Sequence, residues 1–208
     1  MNPFVIGIAG ASGSGKSTLA NDLLVTLNRA APDRAVALPL DAYYRDLSHL
    51  SFDQRDRMNF DHPDALELEL VGEHLKALRS GHPVEVPVYD FSTHTRTAEF
   101  QPLPTADVVI VEGILALADP MLTALYDLTV FVDAPLDLCL ARRIVRDQQE
   151  RGRDEDSVKT FWFERVLPMF EAFVMPAKSL ADVTVDGTAA ASEGVGLILG
   201  QLNATRAD

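Results

Sequence analysis

The feature that most constrains this chain is the stretch GASGSGKS at residues 10–17, which fits the pattern G-x-x-x-x-G-K-[S/T]. A short apolar run of strand length precedes it at residues 4–9. Residues 18–29 carry leucines at four-residue spacing, which is typical of one face of a helix. The motif therefore has the strand–loop–helix context in which a glycine-rich loop binds phosphate groups. A glycine-rich turn that binds nothing is the alternative, and this context disfavours it.

The residue types of the loop suit a phosphate site. Its glycines permit positive φ, so that successive backbone N–H groups converge on one anion, and the first turn of the helix adds further N–H groups. Lys16 supplies a full positive charge for the outer phosphates, and the Ser17 hydroxyl is a hard oxygen ligand for Mg²⁺. The predicted nucleotide-binding residues are Gly10, Ala11, Ser12, Gly13, Ser14, Gly15, Lys16, Ser17 and Thr18.

Composition narrows the range of partners. The 208 residues are 47% hydrophobic, which is enough for one sizeable α/β core, so a single domain over residues 1–208 is predicted. The net charge of −13 argues against nucleic acid or an anionic membrane as the partner. A single cysteine, no basic leader pattern and no apolar run of membrane-spanning length favour a reducing compartment, and we expect a cytoplasmic protein.

Apolar runs of strand length alternate with amphipathic segments along the chain. This alternation predicts an α/β fold with a parallel sheet and helices on both faces. Residues 83–103 stand apart as a small β insertion, because Pro87 disfavours a central strand. After the first strand and helix, strands are predicted at 34–40, 107–112, 128–132 and 183–185, and helices at 68–79, 136–151, 154–173 and 195–202.

Three acidic residues stand at predicted strand ends, namely Asp41, Glu112 and Asp133. In a parallel sheet these ends share an edge with the phosphate-binding loop. One of Asp41 and Glu112 is suited to holding a Mg²⁺ shell, and the other to accepting a proton from an acceptor hydroxyl. For Asp133, capping of the next helix is an equal alternative.

Residues 142–153 contain five of the 18 lysines and arginines of an otherwise acidic chain. Arginines that close over a transferred phosphoryl group stabilise its negative charge, and Gly152 offers a hinge for closure. The alternative is a set of i,i+4 ion pairs on an exposed helix, each worth about 0.3–0.5 kcal/mol. Those pairs would be Arg143–Asp147 and Arg146–Glu150, and they leave Arg151 and Arg153 unexplained.

Two aromatic residues and a histidine, Tyr89, Phe91 and His94, fall within one turn of the predicted β insertion. Such a group can stack on a planar ring and form hydrogen bonds with it. A small satellite core is the structural alternative for these three residues.

Taken together, these segments resemble the uridine kinase (uridine–cytidine kinase) family. The resemblance covers residues 4 to about 187, in the family's order and at about its spacing. The fold that it implies is a P-loop kinase-type parallel sheet flanked by helices, with the small β insertion and an Arg-rich helical lid at about 142–175. The matching pieces are residues 10–18, 41–45, 59–65, 87–91 with His94 and Arg96, 111–115 and 146–153.

The resemblance implies transfer of the γ-phosphoryl group of ATP to the 5′-hydroxyl of a pyrimidine nucleoside, a step of pyrimidine salvage. GTP is the other donor that it allows, and Mg²⁺ is the implied metal. Lys16 and the loop amides are implied to hold the phosphates, Ser17 and Glu112 to place Mg²⁺, and Asp41 to act as the general base that also touches the metal shell.

The nucleoside contacts implied by the resemblance come from several segments of the chain. Asp61 and Arg143 are similar to family residues that hold the ribose hydroxyls. Tyr89, Phe91 and His94 correspond to the base pocket, with Tyr44 packed beside the nucleoside. Arg146, Arg151 and Arg153 resemble the arginines of the lid.

Two departures from the family pattern bear on the substrate. Phe161 and Trp162 stand where the family usually has Gln and Tyr, and Leu40 replaces a polar residue before Asp41. The loss of an amide leaves the preferred base open, and keeps a kinase resembling phosphoribulokinase or pantothenate kinase as an alternative. A nucleotide-driven switch would want a guanine-binding Asn/Thr-Lys-x-Asp motif, which the sequence lacks, and a non-catalytic regulatory relative is a further alternative. The family also forms oligomers, so a dimer or tetramer is expected.

Overall fold

The computed structural model describes residues 2–207. The strands are β1 (Phe4–Gly10), β2 (Ala35–Pro39), β3 (Val84–Asp90), β4 (Thr95–Leu103), β5 (Val108–Glu112), β6 (Leu128–Asp133) and β7 (Val183–Asp186). The helices are α1 (Lys16–Ala30), α2 (Phe52–Asp56), α3 (Leu68–Arg79), α4 (Pro120–Thr123), α5 (Leu136–Arg151), α6 (Glu155–Phe161), α7 (Leu167–Met169) and α8 (Ala191–Ala207). Within residues 2–207, every helix is too short or too polar to cross a bilayer.

Five strands form a parallel sheet in the order β2-β5-β1-β6-β7, with the phosphate-binding loop leaving its central strand. Ile8 is level with Glu112 on one side of β1, and Gly10 is level with Val132 on the other. The carboxyl ends of β1, β2, β5 and β6 therefore meet at one edge, as parallel pairing requires, and the predicted fold class is confirmed.

Alternate residues of the central strand bury themselves in two different cores. Val5 and Ala9 face a core that includes α3, the β3–β4 hairpin and residues 170–177. Ile6 and Ile8 face the second core, which α1 and α8 cover. Because both faces of the sheet are covered by apolar side chains, its strands appear in the sequence as continuous hydrophobic runs.

The β insertion is a two-stranded antiparallel sheet separate from the main one. Its register shifts between Pro87 and Tyr89, which is where a residue without an N–H interrupts the pairing. Strand β4 begins at Thr95, so only residues 91–94 separate it from β3. Arg96 fastens the hairpin to the body, because its guanidinium donates to Glu67 Oε2 at 2.8 Å and to the Tyr43 carbonyl at 3.0 Å.

Two helix ends have the chemistry that is typical of such positions. Ser51 and Gln54 form a reciprocal capping box at the start of α2. At the end of α3, Gly81 has φ +80°, its N–H donates to Leu78, and the next N–H, that of His82, donates to Ala77. This is the left-handed ending that a glycine after an amphipathic helix predicts.

The segment after α6 differs from the regular helix predicted for residues 154–173. Residues 162–166 and 170–174 form π-helical turns, and the N–H of Leu167 reaches back five residues to the carbonyl of Trp162. Pro168 lies between the two turns and has no N–H to give to the carbonyl four residues earlier. The register is therefore wider than an α-helix allows, and the segment winds as short pieces that pack against Cys139 near the start of α5.

Candidate active site

The phosphate-binding loop depends on glycines with positive φ, and at Gly13 there is also no space for a side chain. Gly13 has φ +85°, and a Cβ placed on it would collide with the carbonyl oxygen of Cys139 in α5. Gly15 has φ +102° and forms the N-cap of α1. Arg142 braces the loop from the same helix, donating to the carbonyl oxygens of Gly13 and Ser14 at 3.2 and 3.3 Å. The loop is thus packed directly on α5.

A first cavity of about 440 Å³ opens in front of this loop. One wall is the start of α1, and the other combines α5 with the turn that follows β7. Its residues include Gly13, Gly15, Lys16, Ser17, Thr18, Arg143, Arg146, Asp186 and Gly187. Convergent backbone N–H groups, one lysine and three arginines (Arg142 also lines this space) make this a cavity for a polyanion.

Lys16, Ser17 and Glu112 form a compact polar group at the floor of the site. The Ser17 hydroxyl donates to Glu112 Oε1 at 3.0 Å, and Lys16 Nζ lies 3.7 Å from the same oxygen. Burial raises the pKa of Glu112, and the Lys16 charge opposes that rise. The half-buried Asp41 side chain is close enough to raise the pKa of Glu112 further by charge repulsion.

The oxygen donors of this group fit a magnesium ion that arrives with a nucleotide. Mg²⁺ prefers hard oxygen ligands, and one or two carboxylates suffice when phosphates and waters complete its shell. Ser17, Glu112 and Asp41 are donors of that kind. Among residues 2–207 there is no cluster of three or more His, Cys, Asp or Glu side chains that would hold a metal by itself.

A second, narrower cavity of about 70 Å³ lies on the other side of Lys16. It is lined by acidic, aromatic and basic side chains from six separate parts of the chain. They are Ser12, Lys16, Asp41, Tyr44, Phe60, Asp61, Tyr89, Phe91, His94, Ile114, Arg143, Arg146, Arg151, Arg153 and Phe161. Lys16, Arg143 and Arg146 line both cavities, so the two spaces meet at these three positive charges.

Asp61 is a buried acid in the wall of the second cavity, with 7% of its surface exposed. Burial raises its pKa, and Arg143, whose NH1 lies 4.0 Å from Asp61 Oδ1, opposes the rise. Arg143 is itself buried, which lowers its pKa. An acceptor and a donor held side by side in a poorly hydrated wall suit a ligand with vicinal hydroxyl groups.

Aromatic rings form the opposite wall of the second cavity. His94 stacks on Phe60 with ring centroids 5.4 Å apart, and Tyr89 lies between Tyr44 and Phe91 at 5.0 and 5.1 Å. The buried Tyr89 hydroxyl has no hydrogen-bond partner within the described part of the chain. A polar atom left in this state at a cavity wall fits a ligand that supplies the missing partner.

The His94 backbone has φ +53°, an unusual value for a residue other than glycine. Burial lowers the pKa of the His94 imidazole, with Arg153 the next cause, while Asp56 opposes the shift. The imidazole Nε2 lies 3.6 Å from Asp56 Oδ1. The ring is therefore held toward the cavity in its neutral form.

The lid arginines close the second cavity from above. The Arg151 guanidinium lies 5.0 Å from the centre of the Phe91 ring, and that of Arg153 lies 5.4 Å from the centre of Phe161. Gly152, between them, ends α5 with φ +63°. These side chains account for the small volume of the cavity, so a bulky ligand needs them to move.

Most of the predicted site residues surround the two cavities, but the loop residues divide between them. Ser12 faces the second cavity, not the first. The side chains of Ala11 and Ser14 are buried, and Gly10 packs against the backbone of Val132. Asp133 does not cap α5, whose N-cap is Pro135, and it lines neither cavity. Its carboxylate instead pairs with Lys178 at 2.7 Å.

One predicted ion pair is wrong, and an important residue was missed. Arg146 does not pair with the exposed Glu150, but with the adjacent Asp147, at 2.7 Å. Asp147 is completely buried among the arginines of α5, whereas sequence spacing suggested only a surface pair with Arg143. The segment 142–153 holds two acids, Asp147 and Glu150, among its five arginines, and helical spacing does not say which of them is buried.

Asp56 and Phe60 also belong to the site without having been predicted. Asp56 lies 3.6 Å from His94 and 3.5 Å from Arg153, and so joins the turn of the β3–β4 hairpin to the chain after α5. Phe60 supplies the ring on which His94 stacks. The spacing of the motif that contains Phe60 was recognised, but its aromatic contact required the tertiary structure.

Comparison with known proteins identifies relatives of similar sequence. The chain is 50% identical to the uridine kinase of Shewanella halifaxensis over 182 residues, which are 87% of this chain and 86% of that protein. It is 47% identical to the uridine kinase of Cronobacter sakazakii, covering 87% and 85%. These relatives match most of the chain.

Solved structures share the fold. A putative fructose transport system kinase from Silicibacter superposes with a TM-score of 0.71 at 26% identity, covering 88% of this chain and 90% of that one. Phosphoribulokinase from Rhodobacter spheroides gives 0.69 at 17% identity, covering 90% and 73%. The family model described as "Phosphoribulokinase / Uridine kinase family" matches residues 5–191. The chain therefore belongs to the phosphoribulokinase/uridine kinase family.

Proposed function

We propose that this protein transfers the γ-phosphoryl group of ATP to the 5′-hydroxyl of uridine or cytidine. The observation that carries the proposal is the meeting of the two cavities at Lys16, Arg143 and Arg146. A polyanion in the first cavity and a polar, ring-containing acceptor in the second would exchange a phosphoryl group there. The curated relatives named uridine kinase support the same acceptor.

The first cavity is the site that we assign to the donor. The loop amides and Lys16 would hold the triphosphate, and Ser17, Glu112 and Asp41 would hold Mg²⁺. The ion would neutralise charge on the β- and γ-phosphate oxygens. Arg146 would stabilise the charge that develops on the transferred group, because it faces both cavities.

The second cavity is the site that we assign to the nucleoside. Asp61 and Arg143 would take the ribose hydroxyls, and the rings of Tyr44, Tyr89, Phe91 and His94 would enclose the base. Arg151 and Arg153 would close over it. Asp41, which lines this cavity beside Lys16, would accept the proton of the 5′-hydroxyl as its oxygen attacks the γ-phosphorus and ADP leaves.

The cellular setting follows from the proposed reaction. It consumes ATP and returns pyrimidine nucleosides to the nucleotide pool, so we place it in pyrimidine salvage in the cytoplasm. A homodimer or homotetramer is part of the proposal, and sedimentation of the purified protein tests it.

The decisive experiment is MgATP-dependent phosphorylation of a panel of acceptors: uridine, cytidine, their 2′-deoxy forms, adenosine, ribulose 5-phosphate and pantothenate. We expect turnover of uridine or cytidine above all others. Turnover of ribulose 5-phosphate or pantothenate, with every nucleoside inert, would overturn the assignment of the second cavity. It would leave the donor site intact.

Asp41→Asn tests the proposed base within the same assay. The amide keeps the shape of the side chain but cannot take a proton, so we expect turnover to fall by at least about 10²-fold while MgATP still binds. Asp53→Asn, an exposed change in the first turn of α2, is the control. Turnover of Asp41→Asn equal to that of the control would remove Asp41 from the mechanism.

A further inference from the structure

Asp147 lies on α5 among the arginines that line the two cavities, and the proposed reaction does not itself use it. Its side chain has no solvent exposure. A carboxylate is expensive to bury unless positive charge and hydrogen bonds surround it. The partners of Asp147 therefore indicate why an acid stands at this position.

The partners are the arginines of the site. Asp147 Oδ1 accepts hydrogen bonds from Arg146 Nε at 2.9 Å and from its terminal NH2 group at 2.7 Å. The same oxygen lies 3.7 Å from Arg151 Nε, and Oδ2 lies 3.5 Å from Arg143 Nε. One carboxylate thus faces three guanidinium groups.

The main chain of Asp147 contributes as well. Its carbonyl oxygen accepts the N–H of Gly152, which ends the helix, and that of Arg153 at 3.1 Å. These two bonds turn the chain back at the end of α5, so that Arg153 returns to the second cavity. Asp147 therefore contacts or anchors every arginine assigned to the reaction.

The ion pairs of this cluster contain more positive than negative charge. Three guanidiniums surround Asp147, and the only other acid paired with them is Asp61, 4.0 Å from Arg143, within the part of the chain that the structure describes. Burial lowers the pKa of both Arg143 and Arg151. A central acid keeps like charges together and directed into the cavities, and the remaining positive charge is available to phosphate oxygens.

We propose that Asp147 is a positioning residue for phosphoryl transfer, which orients Arg143, Arg146 and Arg151 at the border of the two cavities. This inference rests on the proposed function. It assigns no contact between Asp147 and substrate, because the carboxylate is sealed behind the arginines. Its effect is therefore exerted through them.

The test compares Asp147→Asn with Glu150→Gln. Both changes remove one negative charge from α5, but Glu150 is exposed and lines neither of the two cavities. We expect kcat/KM for the nucleoside to fall by about 10²-fold in Asp147→Asn, which is the scale of a misplaced catalytic group, and to stay within about 2-fold of wild type in Glu150→Gln.

A double-variant cycle separates positioning from general stabilisation. If Asp147 acts largely through Arg146, the Asp147→Asn change costs less than about 10-fold when Arg146 is already alanine. Losses in kcat/KM that multiply in the double variant would contradict the proposal. So would an Asp147→Asn enzyme as active as Glu150→Gln.

Equilibrium binding of MgATP gives a readout that does not need the acceptor. We expect Asp147→Asn to weaken it by about 10-fold, because Arg146 also faces the first cavity. If the wild type binds MgATP but phosphorylates no nucleoside, the proposed function fails while this measurement still decides the role of Asp147. If Asp147→Asn does not fold, Asp147→Glu replaces it in every assay. Failure of both variants to fold would assign Asp147 to stability and overturn the proposal.

Discussion

Burial shifts the pKa values of single residues in this site, and His94 is the clearest case. Its imidazole is stacked on Phe60 and faces the guanidinium of Arg153, and burial lowers its pKa below the ordinary value of about 6.5. The folded protein therefore releases the proton of His94 at a lower pH than the unfolded chain does. Stability from the neutral ring is present above about pH 6.5 and is lost as the pH falls through the lowered pKa.

We therefore expect a His94→Gln variant to be less sensitive to acid than the wild type. The amide cannot take a proton, so its melting temperature should drop less between pH 7.5 and pH 5.5. His74, whose pKa burial also lowers, remains in both proteins and cancels in the comparison. An equal drop in both would show that His94 carries no linked proton. Differential scanning calorimetry at the two pH values makes the measurement.

At the scale of single residues, the sequence predicts which residues belong to the site better than it predicts the contacts that they make. Asp41, Asp61, Tyr89 and Arg143 were identified by motif, and the structure brings all four to one cavity. The pairing of Arg146 with Glu150 was wrong, because helical spacing treats every i,i+4 pair as equally solvated. In the structure, Asp147 is enclosed by guanidinium groups whereas Glu150 is exposed, and this difference comes from tertiary packing that spacing does not report.

At the scale of secondary-structure elements, the contact between the phosphate-binding loop and α5 leaves no room for a side chain at Gly13. Gly13 has both a positive φ and a close neighbour in the Cys139 carbonyl. A left-handed backbone costs a residue with a Cβ about 1–2 kcal/mol, apart from the collision itself. We expect Gly13→Ala to weaken MgATP binding by at least about 10-fold in isothermal titration calorimetry.

Gly196→Ala is the matched control for this change. Gly196 lies inside α8 with open space around its Cα, so a methyl group meets nothing. Alanine should raise the free energy of unfolding by about 0.5–1 kcal/mol and leave MgATP binding unchanged. Binding losses of the same size in both variants would contradict the role given to Gly13.

Regular elements were predictable because each has a local signature. Strand β5 is an uninterrupted apolar run, and α3 joins an amphipathic stripe to a terminal glycine. The π-helical turns around Pro168 were not predictable from such signatures. Their register is set by which backbone bonds survive beside the proline and by how the segment lies on α5, and hydrophobic spacing reports neither.

At the scale of the whole molecule, the parallel sheet brings distant parts of the chain to one edge. Chain order alone therefore predicted that Asp41 and Glu112 would stand beside the loop. The second cavity also needs the hairpin and the helical segment after α5, whose placement no sheet rule specifies. The shared border of Lys16, Arg143 and Arg146 is a property of this assembly and of no single element.

That border predicts coupled binding. A polyanion in the first cavity would fix Arg143 and Arg146, which also line the second, so the nucleoside would no longer have to order them. We expect a non-hydrolysable ATP analogue with Mg²⁺ to tighten uridine binding by about 5-fold or more. Uridine must then tighten binding of the analogue by the same factor. Changes below about 2-fold in titration calorimetry would show that the cavities bind independently.

Cys139 provides a chemical probe of local opening around the start of α5. It is the chain's single cysteine, its side chain is completely buried, and burial raises the pKa of its thiol. A thiol reagent can reach it only when α5 separates from the loop or from Trp162 and Val166, so the labelling rate measures how often such a local opening occurs. Bound MgATP should slow the labelling in proportion to its occupancy. The local opening can thus be measured in the wild-type protein, without an engineered label.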